Sequence, residues 1–141
     1  KMAHQTEDNS QMAIHAIKHG VLVEWALQPP TLQALRPIEV LMTTVHKVFP
    51  PKFGIPGHDH FKKWTPITPA EVSQGPAMGN RVDDEKLKKA IKKLRFFLHP
   101  DKLPHEFNSE QLYICKMLWD ITSDASEEHK KKEEDLGWIR G

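Results

Sequence analysis

Between Asp83 and Leu98 the chain carries a pattern that only a helical backbone can use. Leu87, Ala90, Ile91, Leu94 and Leu98 fall at i, i+3, i+4, i+7 and i+11, one face of an α-helix. The other positions hold Lys86, Lys88, Lys89, Lys92, Lys93 and Arg95, with no acidic residue between Lys86 and Leu98. Asp83, Asp84 and Glu85 stand at the start, where a helix N-terminus favours a carboxylate and a cap. His99-Pro100-Asp101 follows at once, and Pro100 cannot continue the helix. A second periodic run starts after a cap at Asn108 or Ser109. Ile114, Leu118, Ile121 and Ala125 share one face, flanked by Cys115 and Trp119. The stretch therefore predicts helices over 84–98 and 109–136, the second ending at Gly137. They fold back antiparallel across a loop at 99–108, held by Leu87, Ile91, Leu94, Leu98, Leu118 and Ile121.

Upstream, proline divides the chain. Residues 1–9 are polar and expected to fray. Ser10 is placed to cap a helix to about Leu27, with Met12, Ala16, Ile17, Val21 and Trp25 as its buried stripe. Gly20 weakens that helix by about 1 kcal/mol relative to Ala. Pro29-Pro30 ends it, a helical turn over 31–36 follows, and Pro37 is placed at the first position of a helix over 38–49. Ile38, Leu41, Met42, Val45 and Phe49 give that helix its face, and Pro50-Pro51 stops it. Residues 50–82 are rich in Pro and Gly and show no strand alternation, so they read as one long loop. Thr68-Pro69-Ala70-Glu71 has the form of a capping box for a short turn, and 73–80 is expected to be mobile. No β-sheet is expected. The architecture is all-α: an N-terminal extension over 1–36 with one helix, then a helical domain over 37–141.

Several chemistries lack their residues. His15 and His19, and His58 and His60, lack a third or fourth ligand at clear spacing, and read as solvent-exposed side chains rather than a metal site. No serine-, cysteine- or carboxylate-based catalytic arrangement and no phosphate-cradling glycine loop stands out, so neither an enzyme nor a bound cofactor is expected. A net charge of +1 gives no global attraction to nucleic acid or membrane, and the basic face has no aromatic stacking platform in this reading. Nucleic acid is not an expected partner. No apolar run approaches the length of a membrane span. The single cysteine and the lack of a secretory signal fit a reducing, cytoplasmic setting and a monomer. The first residue is Lys1 rather than Met, and the chain is expected to be a piece of something longer.

The run "LRFFLHPDK" (94–102), a basic helix closed by His-Pro-Asp and a lysine, resembles the J domain, the module by which J-domain co-chaperones engage Hsp70. "LMTTVHKVF" (41–49), "KKWTPI" (62–67) and "ICKMLWDITSDASEEH" (114–129) are similar to helix I, the Trp-Pro loop element and helix III of its auxilin-like branch. The likeness runs from Pro37 to His129. It departs from the common J-domain pattern in lacking the aromatic pair and Leu-Gly turn of helix I, and the basic helix IV.

The resemblance implies a role. His99, Pro100 and Asp101 would trigger ATP hydrolysis on the Hsp70 ATPase domain. Lys102 with Lys88, Lys89, Lys92, Lys93 and Arg95 would form the basic docking surface, and Trp64 would anchor the loop. The branch likeness further implies a clathrin-uncoating context, with clathrin or another client reached through other regions. A different class of reading remains beside it: a J-like scaffold that binds a protein partner without activating Hsp70. A buried Asp101, or a 50–82 loop folded over the lysines, would favour the scaffold.

Overall fold

The apolar stripe after Asn108 becomes the axis of the molecule. The computed structural model describes the backbone of residues 2–140 and the side chains of residues 11–135. Its helices are α1 (Met2–Val21), α2 (Ile38–Thr44), α3 (Asp59–Lys62), α4 (Asp84–Leu98) and α5 (Ser109–Arg140). Helices α1, α2 and α4 all pack on α5. The protein is all-α; among the described residues the β pairing consists of isolated bridges between Leu27 and Leu35 and between Ser73 and Val82. One apolar core runs from Ile17, Val21 and Trp25 through Leu41, Met42 and Leu94 to Ile114 and Leu118. The N-terminal helix thus shares its core with the rest of the chain.

Local sequence accounts for both ends of the α4–loop–α5 unit. The Asp83 carboxylate accepts from the Lys86 amide at 3.1 Å and caps α4. Asn108 and Gln111 exchange two bonds of 2.8 Å, each side-chain oxygen accepting from the other's amide, and these open α5. Along the pair, Asp84 meets His129, Arg95 meets Ser123 and His99 meets Trp119, so the two helices run antiparallel. Leu87, Leu94, Leu98, Leu118 and Ile121 are buried between the helices and their neighbours, while Ile91 is only partly so.

Elsewhere the structure departs from the periodic reading. Helix α1 begins at Met2 rather than at a Ser10 cap, and α5 runs through Gly137 to Arg140. Helix propagation gains one bond per residue fixed, so neither a polar lead-in nor one glycine need end it. Only the C-terminal part of this stretch reaches the core: Ile17 and Val21 of α1 and Trp25 of the π-helical turn Leu22–Ala26 that continues it are buried, whereas Met12 is 70 % exposed and Ala16 is also exposed. Gly20 has a packing reason, since a Cβ there would stand 2.5 Å from the Phe53 ring.

No helical turn forms over 31–36. The segment instead closes on what precedes it: Gln28 N–H donates to Ala34 O, and Arg36 N–H to Ala26 O, each at 2.8 Å. Pro37 is the N-cap of α2 rather than its first helical residue. The helix expected over 38–49 is α-helical only to Thr44 and tightens to a 3₁₀ turn over Val45–Val48. The Thr43 and Thr44 hydroxyls donate back to the Glu39 and Val40 carbonyls, a competition that bends helices.

The 50–82 segment is built of short turns rather than one open loop. Thr68 makes no side-chain cap, and Pro69–Glu71 is a single 3₁₀ turn closed by Glu71 N–H on Thr68 O at 2.9 Å. The stretch 73–80 is drawn shut by Gln74 N–H on Arg81 O at 2.8 Å and Asn80 N–H on Gly75 O at 3.0 Å.

Candidate functional site

The His-Pro-Asp triplet forms a 3₁₀ turn, Pro100–Lys102, immediately beyond α4. His99 ends the helix and caps the turn: its Nδ1 accepts from the Asp101 amide at 3.1 Å. An accepting Nδ1 places the neutral ring's proton on Nε2. The His99 ring stands edge-on to Trp119 of α5 at 5.9 Å, and Lys102 N–H donates to His99 O at 2.8 Å. Proline's fixed φ stiffens what these bonds close. The outcome is a rigid turn with the Asp101 carboxylate 87 % exposed at its tip.

Beneath the tip lies an aromatic buttress supplied mostly by 50–82. Trp64, 7 % exposed as befits an anchor, meets Phe49 at 5.9 Å and Phe97 at 5.1 Å. His60 stacks on Phe97 at 4.3 Å, and Phe107 of the tip loop stacks on Phe61 at 5.3 Å. His58 and His60 are therefore not free surface histidines. His58 Nε2 pairs with Glu106 at 2.9 Å, while its Nδ1 accepts from the His60 amide at 2.9 Å. His60 Nε2 donates to the Phe97 carbonyl at 3.1 Å. Burial lowers the His60 pKa below its ordinary 6.5, against the Phe97 carbonyl bond that raises it. Its own backbone hydrogen bond and the bond from His58 hold Glu106 below the usual carboxylate range. Gln111 Nε2 donates to Pro56 O at 2.7 Å, tying the start of α5 to the same segment. Spacing arguments did not find this cluster; the sequence signal was the density of aromatics and histidines between Phe49 and Trp64.

The basic residues divide by position around α4. Lys88, Lys89 and Lys92 are exposed, with Lys88 near Glu85 at 3.7 Å. Lys102 reaches back from the turn. Arg95 leans toward α5, donating to Ser123 Oγ at 3.0 Å with its guanidinium 5.4 Å from the Trp119 ring. Lys93 lies on the opposite flank, donating to Thr65 O at 2.9 Å and sitting 4.8 Å over Trp64. Lys86 likewise donates to Ser73 O at 2.9 Å. The 50–82 segment thus takes Lys86 and Lys93 and leaves Lys88, Lys89, Lys92 and Lys102 around the outer face.

That outer face also contradicts the expectation of no aromatic on it. Phe96 is 67 % exposed among these lysines, and Lys102 Nζ lies 5.2 Å from its ring centre. Of the adjacent pair Phe96-Phe97, the helical turn of 100° per residue sends Phe97 toward the buttress and Phe96 outward.

No family model, curated protein or solved structure matches the chain. The site is read from its own chemistry. Cys115 is 1 % exposed, and burial pushes its thiol up to about 12, so it is no thiolate nucleophile. Asp84, His129 and Glu133 bring potential ligand atoms within 4.8 Å of one another, and the Asp84–His129 pair at 3.0 Å already bridges α4 and α5. No described helix is long and apolar enough to cross a membrane.

Proposed function

We propose that this chain is a J-like co-chaperone that docks on the ATPase domain of an Hsp70 through α4 and the His99-Pro100-Asp101 turn and stimulates its ATP hydrolysis. The observation that carries the reading is the exposed Asp101 carboxylate, fixed by the His99 cap and by Pro100, beside an exposed lysine face. A carboxylate so held accepts charge-assisted hydrogen bonds from a partner arginine without first losing loop entropy. The lysines speed encounter with an acidic groove and make binding salt-dependent. No bond is broken on this chain. It acts by binding the hydrolysis-competent state of the partner better than the others, about 1.4 kcal/mol for each tenfold of preference. The antiparallel pair with the triplet at its tip supports a J-type hairpin, and the buried Trp64 supports the auxilin-like loop anchor; a clathrin-uncoating context rests on the sequence likeness to that branch.

A second reading keeps the shape and drops the activation. On its side is the 50–82 segment, whose carbonyls hold Lys86 and Lys93. The exposed Asp101 weighs for the first. Single-turnover ATP hydrolysis by an Hsp70, with and without the chain, decides between them. Stimulation by the parent that is lost in Asp101→Asn is expected. No stimulation alongside intact, salt-sensitive binding would leave the scaffold.

A further inference from the structure

We propose that Phe96 is the apolar anchor of the docking face, and that the partner is an acidic protein surface with an apolar pocket that takes this ring. The inference rests on the co-chaperone reading for the partner's identity but on separate observations for the residue. Among the described residues Phe96, 67 % exposed, is the one phenylalanine, tyrosine or tryptophan to stand so far in water, and it does so on an otherwise charged helix face. It lies one turn from Lys92 along α4, and Lys102 crosses over to it from the His-Pro-Asp turn, with Nζ 5.2 Å from the ring centre. A groove of about 410 Å³ lies on the far flank, against Ile67 and Ala70. The groove beside Phe96, about 330 Å³, is instead lined by Lys92, Arg95, Phe96, His99, Asp101 and Lys102. Ring and Asp101 therefore line one concavity, so a partner seated in it covers both.

Charge selects the occupant. Lys92, Arg95 and Lys102 line the groove with the ring, and Lys88 and Lys89 follow two turns back along α4, a positive surface that calls for carboxylates around the pocket that receives it. A polyanion fits less well. Asp101 and Glu85 stand on the same surface and repel phosphates, and a lone aromatic offers no platform for successive bases. Interface energy concentrates in a few buried anchors with charged surroundings that tune the on-rate. The lysines then set how fast the partner arrives, and Phe96 sets how long it stays.

The test is equilibrium titration of the full chain with an Hsp70 ATPase domain at low and at physiological salt. It compares the parent with Phe96→Ala, Phe96→Leu, Lys92→Ala and Asp101→Asn. Phe96→Ala is expected to weaken binding by about tenfold or more, through faster dissociation, with the salt dependence unchanged. Phe96→Leu is expected to recover most of that loss, whereas Lys92→Ala flattens the salt dependence. Melting temperatures of the Phe96 variants should match the parent, since the side chain is exposed. A Kd for Phe96→Ala within twofold of the parent, while Asp101→Asn or Lys92→Ala weakens binding, overturns the anchor and leaves the co-chaperone reading standing. No binding by the parent removes both. A labelled single-stranded RNA bound by the parent and released by Phe96→Ala, with no Hsp70 binding, would assign the ring to nucleic acid instead.

Discussion

Among the described residues two tryptophans are buried, and they should respond unequally to the same substitution. Trp25 and Trp64 are 2 % and 7 % exposed, but the Trp25 indole N–H donates to Thr44 Oγ1 at 3.1 Å while the Trp64 Nε1 is buried with no partner among the described residues. Replacing either by Phe removes about three ring atoms, worth roughly 2 kcal/mol of lost burial at about 0.8 kcal/mol per carbon. At Trp25 the change also forfeits a hydrogen bond worth about 0.5–1.5 kcal/mol, for a total near 3 kcal/mol. At Trp64 it removes a buried unsatisfied donor whose desolvation costs about 1–3 kcal/mol, so the two effects nearly cancel. Trp25→Phe should therefore destabilise the protein by about 3 kcal/mol more than Trp64→Phe. Trp64→Ala, which empties the space among Phe49, Phe97 and the Lys93 stem, should cost about 3–5 kcal/mol. Urea unfolding followed by far-ultraviolet circular dichroism measures all three, with the slope checked for constancy. Equal losses for the two Phe variants would refute the reasoning, because they would mean that the Trp64 N–H is satisfied after all.

Two further outcomes follow from the site. Lys93→Met should lower stability by about 0.5–1.5 kcal/mol by freeing the Thr65 carbonyl and the Trp64 ring, while Lys92→Met stays within about 0.5 kcal/mol of the parent; identical melting curves would show that the 50–82 segment does not depend on Lys93. Because burial lowers the His60 pKa below 6.5, the unfolded chain binds the proton first, so this contribution is complete above pH 6.5 and declines as pH falls through it. Stability plotted against pH should fall below that point less steeply in His60→Gln than in the parent, and an unchanged slope would assign the acid sensitivity to other groups.

The parts legible in the sequence were those set by near neighbours. The face of α4, the Asp83 cap, the turn at Pro100 and the start of α5 depend on residues within a turn or two of each other, where periodicity, capping and proline sterics act directly. The same locality explains the errors. The helix end at Thr44 depends on the balance between propagation and competing side-chain bonds, which composition leaves nearly even. Tertiary structure alone decided the rest. His58 meets Glu106, and Lys93 meets Thr65, across long stretches of chain. Phe96 and Phe97 are the same residue type side by side, and only the packing of α4 on its neighbours makes one a buttress and leaves the other in water. A sequence records that a lysine-rich helix exists; which of its lysines remain free is fixed by what the folded chain lays against it.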